Sequence, residues 1–392
     1  MALPNVTINL ENGNLGRVAL SDDGVAGMIL TGVAVPDKLA LNQVYLISST
    51  RDITKLGITA ADNPLVYKEL MAFFTATGDG AELYLLVVAE ATLLSQMCSI
   101  EESSPLKKLI TYAKGRIRLV GLNRLPPSEY KPETSTTGID KDVVTAATAA
   151  QSVGESFAKK VMPFRALIPA AGWDGTTDKL YKPREGSTNR VGFVMASDDL
   201  TNKTAAVGQM LGRAAKISVN QSLARVRSGA IATEGWLTNG KTPEECDAML
   251  DLLDEAGYII YRTFPKKNGY YPNDDHMGAP LSDDYSNLKY GRVADKAMIH
   301  AYVTFIEEIQ DDIELDDDGN IPQEMCSYYE ALIDRAVATA MESEISDFSS
   351  YVDPAQNVLS IQRMTVACKI RPRGCLRDII VNLGFENPAI KQ

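Results

Sequence analysis

Residues 235–242, GWLTNGKT, match the phosphate loop GxxxxGK[ST], a spacing that lets glycine amides, a lysine and a hydroxyl surround phosphates and magnesium. In that chemistry Gly235 and Gly240 would expose backbone amides, Lys241 would reach the outer phosphates and Thr242 would bind the metal. The surroundings fit it poorly. A phosphate loop needs a buried strand feeding it, whereas residues 228–234 are small or polar, and Trp236 and Leu237 would crowd a phosphate. Thr242, Pro243 and Glu245 fit a helix capping box, and Glu244 and Glu245 would repel an anion there. A P-loop NTPase is therefore the alternative function, with Gly235, Gly240, Lys241 and Thr242 as its nucleotide site. The main reading carries no cofactor.

Two other segments invite a metal. Residues 314–319, ELDDDG, imitate half of a calcium loop, but its twelfth position is Met325 where a bidentate Glu is required. His276 follows Asn273, Asp274 and Asp275, with Asp283 and Asp284 nearby in sequence. The chain has only two histidines, and neither has a ligand partner four residues away. Both segments read as structural loops, and no metal is expected.

The elements around these motifs are those of an ordinary soluble protein. With 392 residues there is room for two or three packed units. No apolar run approaches the length of a membrane-spanning helix, and the first residues lack the layout of a signal peptide. The formal charge of −12 disfavours nucleic acid as a partner. Five scattered cysteines argue against a disulfide framework or a zinc site. The charge is uneven: Asp311, Asp312, Glu314, Asp316, Asp317 and Asp318 crowd one segment, while Lys369, Arg371, Arg373 and Arg377 crowd another.

Val6, Ile8 and Leu10 alternate with polar residues as a half-buried strand does, and stand alone at the start. Short apolar runs at 44–48, 83–88, 117–120, 166–169 and 191–196, separated by helical or loop stretches, give an α/β layered rhythm. A helix over 201–220 has Val207, Met210, Leu211 and Ala214 as its apolar stripe. Its other side is small (Ala205, Gly208, Gly212, Ala215), so a neighbour could pack close. A capped helix with Met249, Leu250, Leu253 and Ala256 facing inward leads into a strand at 258–264. A helix from near Arg292 carries Met298, Tyr302, Phe305 and Ile309 on one stripe; another, opened by Pro322, faces Met325, Tyr329, Leu332, Ala336 and Ala340 inward. Strand patterning returns at Met364, Val366, Cys368 and Ile370, and again at Ile379, Val381, Leu383 and Phe385.

Residues 270–279 (YYPNDDHMGA), 282–285 (SDDY) and 290–297 (YGRVADKA) resemble, in order and spacing, a pattern of contractile phage tail sheath proteins. The stretches 207–214 and 219–226, Glu255 to Ile260 and the terminal 383–388 (LGFENP) agree with it. The resemblance covers about 200–390. It implies a layered, multi-domain subunit of mixed α/β and α+β class with strand-like arms: an N-terminal arm at 1–22, an outer domain at 23–200, an inner domain at 201–375 and a C-terminal arm at 376–392. It further implies a non-enzymatic subunit that stacks as six-membered rings around an inner tube and meets baseplate and tail terminator proteins. Such a subunit is made in the bacterial cytoplasm and matures in a phage tail or injection particle. Lone strands at both ends suit β-augmentation, in which one copy's strand joins another's sheet edge. On this reading Val6, Ile8, Leu10, Lys369, Arg371, Arg373, Ile379, Val381, Leu383 and Phe385 contact neighbouring subunits.

Overall fold

The structure, a computed structural model, describes residues 22–385. Its centre is β1 (Ala26–Gly32), seven consecutive buried residues. Successive side chains of a strand point to opposite faces: Ala26, Met28 and Leu30 join one hydrophobic cluster and Ile29 the other. Parallel neighbours β3 (Leu83–Ala89) and β4 (Leu119–Asn123) flank β1. The sheet continues in parallel through β5 (Arg165–Pro169), β6 (Val191–Val194) and β9 (Tyr258–Ile259), and β2 (Val44–Ile47) closes the other edge antiparallel to β3. Sheets of this kind are covered on both faces. One face lies under α3 (Leu94–Met97), α4 (Pro105–Tyr112), α5 (Lys141–Ala158) and α7 (Asp247–Ala256). The other lies under α1 (Thr50–Lys55), α2 (Pro64–Thr77) and α6 (Val207–Lys216).

The expected stripe of α6 is buried, and its small side does bring a neighbour close. Gly208 and Gly212 lie against the α2 backbone: a Cβ on Gly208 would stand 2.3 Å from the Glu69 carbonyl oxygen. Two short pairs, β7 (Ala196–Ser197) with β8 (Trp236–Leu237) and β10 (Tyr261–Arg262) with β11 (Tyr271–Pro272), accompany the sheet; the strand expected over 258–264 is divided between β9 and β10.

A second unit follows. Helices α8 (Leu288–Phe305) and α9 (Gln323–Met341) support a two-stranded antiparallel sheet of β12 (Ile345–Val352) and β13 (Val366–Pro372), with α10 (Val358–Ile361) between the strands. The inward face of α9 is Cys326, Tyr329, Ile333, Val337 and Met341, a rotation of the expected stripe in which only Tyr329 stays fully buried while Met325 and Ala340 pack at the edge of the core. On α8 the expected apolar stripe holds only in part: Phe305 packs against the clusters of the second unit, but Tyr302 and Ile309 are exposed, and the fully buried face lies a turn or more earlier. The expected division between residues 200 and 201 falls inside one core, because α6 packs on the large sheet and β9 is one of its strands. The chain changes unit after β11.

Candidate functional site

Helix α8 joins the two units through charge. Its buried face holds Leu288, Val293 and Ala297, but also Lys289, Arg292 and Asp295. Buried ions are stable only when paired and hydrogen-bonded. Asp295 receives the guanidinium of Arg165, at the start of β5, through Nε to Oδ2 at 2.7 Å and Nη2 to Oδ1 at 3.1 Å. Arg165 also donates to the carbonyls of Asn189 (2.9 Å) and Gly291 (3.1 Å). Gly291 is required for this approach, since a Cβ there would stand 2.4 Å from the guanidinium carbon. Arg190 adds a second cation at 3.2 Å from Asp295 Oδ1.

The other charges of α8 reach elsewhere. Lys296 bridges Asp23 and Glu344, each at 2.7 Å. Arg292 donates to the carbonyls of Asp23 and Ile217, and burial pushes its guanidinium down to about 10. At the N-terminus of α8, buried Asp275 accepts from the Lys289 amide at 2.8 Å and from Ser222 Oγ at 2.7 Å, while Lys289 Nζ lies 3.3 Å away. A carboxylate there complements the helix dipole. Burial alone would raise the Asp275 carboxyl, but the charge of Lys289 and these hydrogen bonds outweigh it and hold it low.

Beside Asp275 lies His276, fully buried. Arg184 Nη2 donates to its Nδ1 at 2.9 Å, and its Nε2 donates to Asp254 Oδ1 at 2.8 Å; one neutral tautomer satisfies both bonds. Asn273 Nδ2 donates to the same Asp254 oxygen at 2.7 Å. Asp283 is turned away to Asn189. Among the described residues no group of three or more His, Cys, Asp or Glu side chains is placed to hold a metal ion. In the acidic segment, Asp316 Oδ1 accepts from the amides of Asp318 and Asn320, forming a turn.

The phosphate-loop match does not form a phosphate cradle. The amides of Leu237, Thr238 and Gly240 donate to the carbonyls of Lys241, Met195 and Leu237, and the Lys241 amide to Asn239 Oδ1. Thr242 and Glu245 cap each other: Thr242 N to Glu245 Oε2 at 2.7 Å and Glu245 N to Thr242 Oγ1 at 3.3 Å. The amides of Leu237, Thr238, Gly240, Lys241 and Thr242 are thus committed within the chain. Doubly wound sheets bind ligands outside the carboxyl ends of the strands. Here that crevice holds Thr31, Asn63, Asn123 and Arg124, all buried, with Arg124 stacked 4.2 Å from the Tyr130 ring centroid.

The basic stretch and the arm come last. Lys369 and Arg371 stand on β13 opposite Ser349 and Asp347, and Arg371 pairs with Asp347 at 3.3 Å, both exposed. Arg373 donates to the Glu342 carbonyl. Arg377 pairs with Asp254 and lies 3.6 Å from Asp274. Beyond it the described chain forms no strand with any other: Ile379 is 75% exposed, Val381 77% and Leu383 96%, and Phe385 is equally bare. Nor does any other described strand pair with the outer edges of the β12–β13 sheet. Val6, Ile8 and Leu10 lie outside the described residues.

Two family models cover the chain almost end to end: "DUF2586, N-terminal domain" over residues 3–276 and "DUF2586, C-terminal domain" over 284–390. The chain belongs to the DUF2586 family. The two family domains coincide with the two structural units, and α8, from the C-terminal domain, sends its charges into the N-terminal one. No curated protein matches the sequence. Among solved structures, the helical sheath of the anti-feeding prophage in its contracted state is similar with a TM-score of 0.63 at 14% identity, over 98% of this chain and 100% of that one. A chain of the six-fold symmetrised anti-feeding prophage baseplate gives 0.62 at 14% identity, over 98% and 99%. The PVC sheath of an extracellular contractile injection system, contracted, gives 0.52 at 13% identity, over 98% of each chain. The chain thus has the α/β sheath fold that the resemblance over about 200–390 implied.

Sequence reasoning missed Arg165, Arg190, Asp275, Asp295 and Lys296 as a group. The available signal was Lys289, Arg292 and Lys296 at helical spacing on the same face as Val293 and Ala297.

Proposed function

We propose that this chain is the sheath subunit of a contractile particle, which polymerises with copies of itself as stacked six-membered rings around an inner tube and shortens to drive that tube through a target envelope. The observation that carries the reading is the bare segment Ile379, Val381, Leu383 and Phe385 on the same chain as an unaccompanied two-stranded sheet. An alternating apolar strand without cover is costly in water, and an open sheet edge is a template for another strand. The cost is removed when one copy's strand completes another copy's β12–β13 sheet, by main-chain hydrogen bonds that specify direction and by side chains that specify register. Val6, Ile8 and Leu10 serve as the second donated strand, and Lys369, Arg371 and Arg373 lie along the receiving edge.

In such a subunit the energy of contraction resides in the interfaces between copies, with the extended packing metastable, and the chain transforms no substrate. Assembly takes place in the bacterial cytoplasm on a baseplate, and a terminator protein ends it. Negative-stain electron microscopy of the purified full chain tests the reading. Ordered tubes are expected, and a variant lacking residues 379–385 should stay dispersed while keeping the melting temperature of the parent. Tubes formed equally well without that segment would refute the donated-strand mechanism.

A further inference from the structure

The cluster around His276 has an unusual member. Its carboxylates are Asp254, Asp274 and Asp275, and the body of the protein supplies Lys289, 3.3 Å from Asp275, and Arg184, which bonds to His276 and faces Asp254 and Asp274. Three acids meet two bases. The third cation, Arg377, comes from the C-terminal arm and pairs with Asp254 and Asp274. Asp274 is buried and Asp254 half-buried; a buried acid left without its cation is penalised, so Arg377, itself half exposed, is held in place by a cluster that needs it.

The position of this contact matters. Arg377 belongs to the C-terminal family domain, whereas Asp254 is in α7 and Asp274 in the loop after β11, both in the N-terminal domain. Between the end of β13 at Pro372 and Arg377 the chain forms no regular structure. The arm is therefore fastened across the joint between the domains.

We propose that Arg377 is the pivot of the C-terminal arm, a clamp that sets where the free arm begins and delivers any pull on it to the large sheet domain instead of the β12–β13 pair. The proposal rests on the reading of the arm as a strand given to a neighbour. With the clamp closed, the described free segment runs from Asp378 to Phe385, about 26 Å when fully extended at ~3.3 Å per residue. With it open, freedom starts at Gly374, after the Arg373 bond to the Glu342 carbonyl, and the segment grows from 8 to 12 residues. The effective concentration of a tethered group falls roughly as the −3/2 power of tether length, so opening the clamp dilutes the strand at its acceptor about two-fold. The position from which load is transmitted moves as well.

The test uses the full chain with Cys368→Ser, leaving Cys375 as the exposed thiol for a nitroxide label; Cys98, Cys246 and Cys326 are buried. Below the assembly concentration, the label should show a slow, immobilised spectrum with Arg377 present and a fast one in Arg377→Ala and Arg377→Glu. The critical concentration for tubes should rise at least two-fold in Arg377→Ala. Equal label mobility in all three proteins would overturn the pivot, as would an unchanged critical concentration. The deletion of 379–385 keeps the two ideas separable: if it still forms tubes, strand donation fails, while the label spectra continue to decide whether Arg377 holds the arm.

Discussion

Arg165 and Asp295 meet side by side, two nitrogens on two oxygens at 2.7 and 3.1 Å, with both side chains almost wholly buried between β5 and α8. The pair links residues 130 positions apart and ties the two family domains together. Asp295→Asn should destabilise the protein by about 3–5 kcal/mol, because it leaves Arg165 and Arg190 buried without their carboxylate. Urea unfolding followed by fluorescence and circular dichroism measures this; a loss under about 1 kcal/mol would mean water reaches the joint.

Gly208→Ala discriminates between local and tertiary control. In an isolated helix the change would stabilise by up to about 1 kcal/mol. Here the new methyl would stand 2.3 Å from the Glu69 carbonyl oxygen, and overpacking of this kind costs about 1–3 kcal/mol. Thermal unfolding should show a lower midpoint, and the same sign is expected for Gly212→Ala, 2.8 Å from the Phe73 carbonyl oxygen.

The segment 235–242 should behave as a cap and not as a nucleotide site. Thr242→Ala should lose about 1 kcal/mol, as capping threonines do, whereas Lys241→Ala, exposed, should stay within about 0.5 kcal/mol of the parent. Magnesium ATP should leave the melting temperature of both unchanged. A midpoint raised by ATP and insensitive to ATP in Lys241→Ala would reinstate the enzyme.

Asp254 predicts the acid limb of stability. Burial alone would raise its carboxyl, but the hydrogen bond from His276, the charge of Arg377 and the amide of Asn273 outweigh it and hold the group at about 2, below its ordinary 3.8. A carboxyl depressed by folding stabilises the native state fully above its unfolded value and loses that contribution as pH falls through the folded one. The contribution should therefore be constant above about pH 5 and disappear between pH 4 and 2. Asp254→Asn should lower stability at neutral pH and flatten this part of the profile, which a pH series of chemical denaturation will show.

Much of the large domain was legible because its signals are local. The runs that became β2, β3, β4, β5 and β6, the stripe of α6 and the box formed by Thr242 and Glu245 each depend on a few neighbouring residues. The central strand β1 escaped notice. Covered on both faces, Ala26–Gly32 has no polar alternation to mark it as a strand. On α9 two stripes were nearly equal in apolar content, and only packing against β12 selected the one through Ile333 and Val337.

The sequence by itself determined that this chain builds a layered α/β body, that its last residues alternate as a strand, and that the family pattern at 270–297 marks its most distinctive region. Only the tertiary structure decided what that region does: Lys289, Arg292, Asp295 and Lys296 find their partners at Asp275, Asp23, Arg165, Arg190 and Glu344. The exposure of Ile379, Val381, Leu383 and Phe385 was decided in the same way. Backbone periodicity is written in adjacent residues, whereas the partner of a buried charge or of a strand edge is chosen by the fold of distant segments.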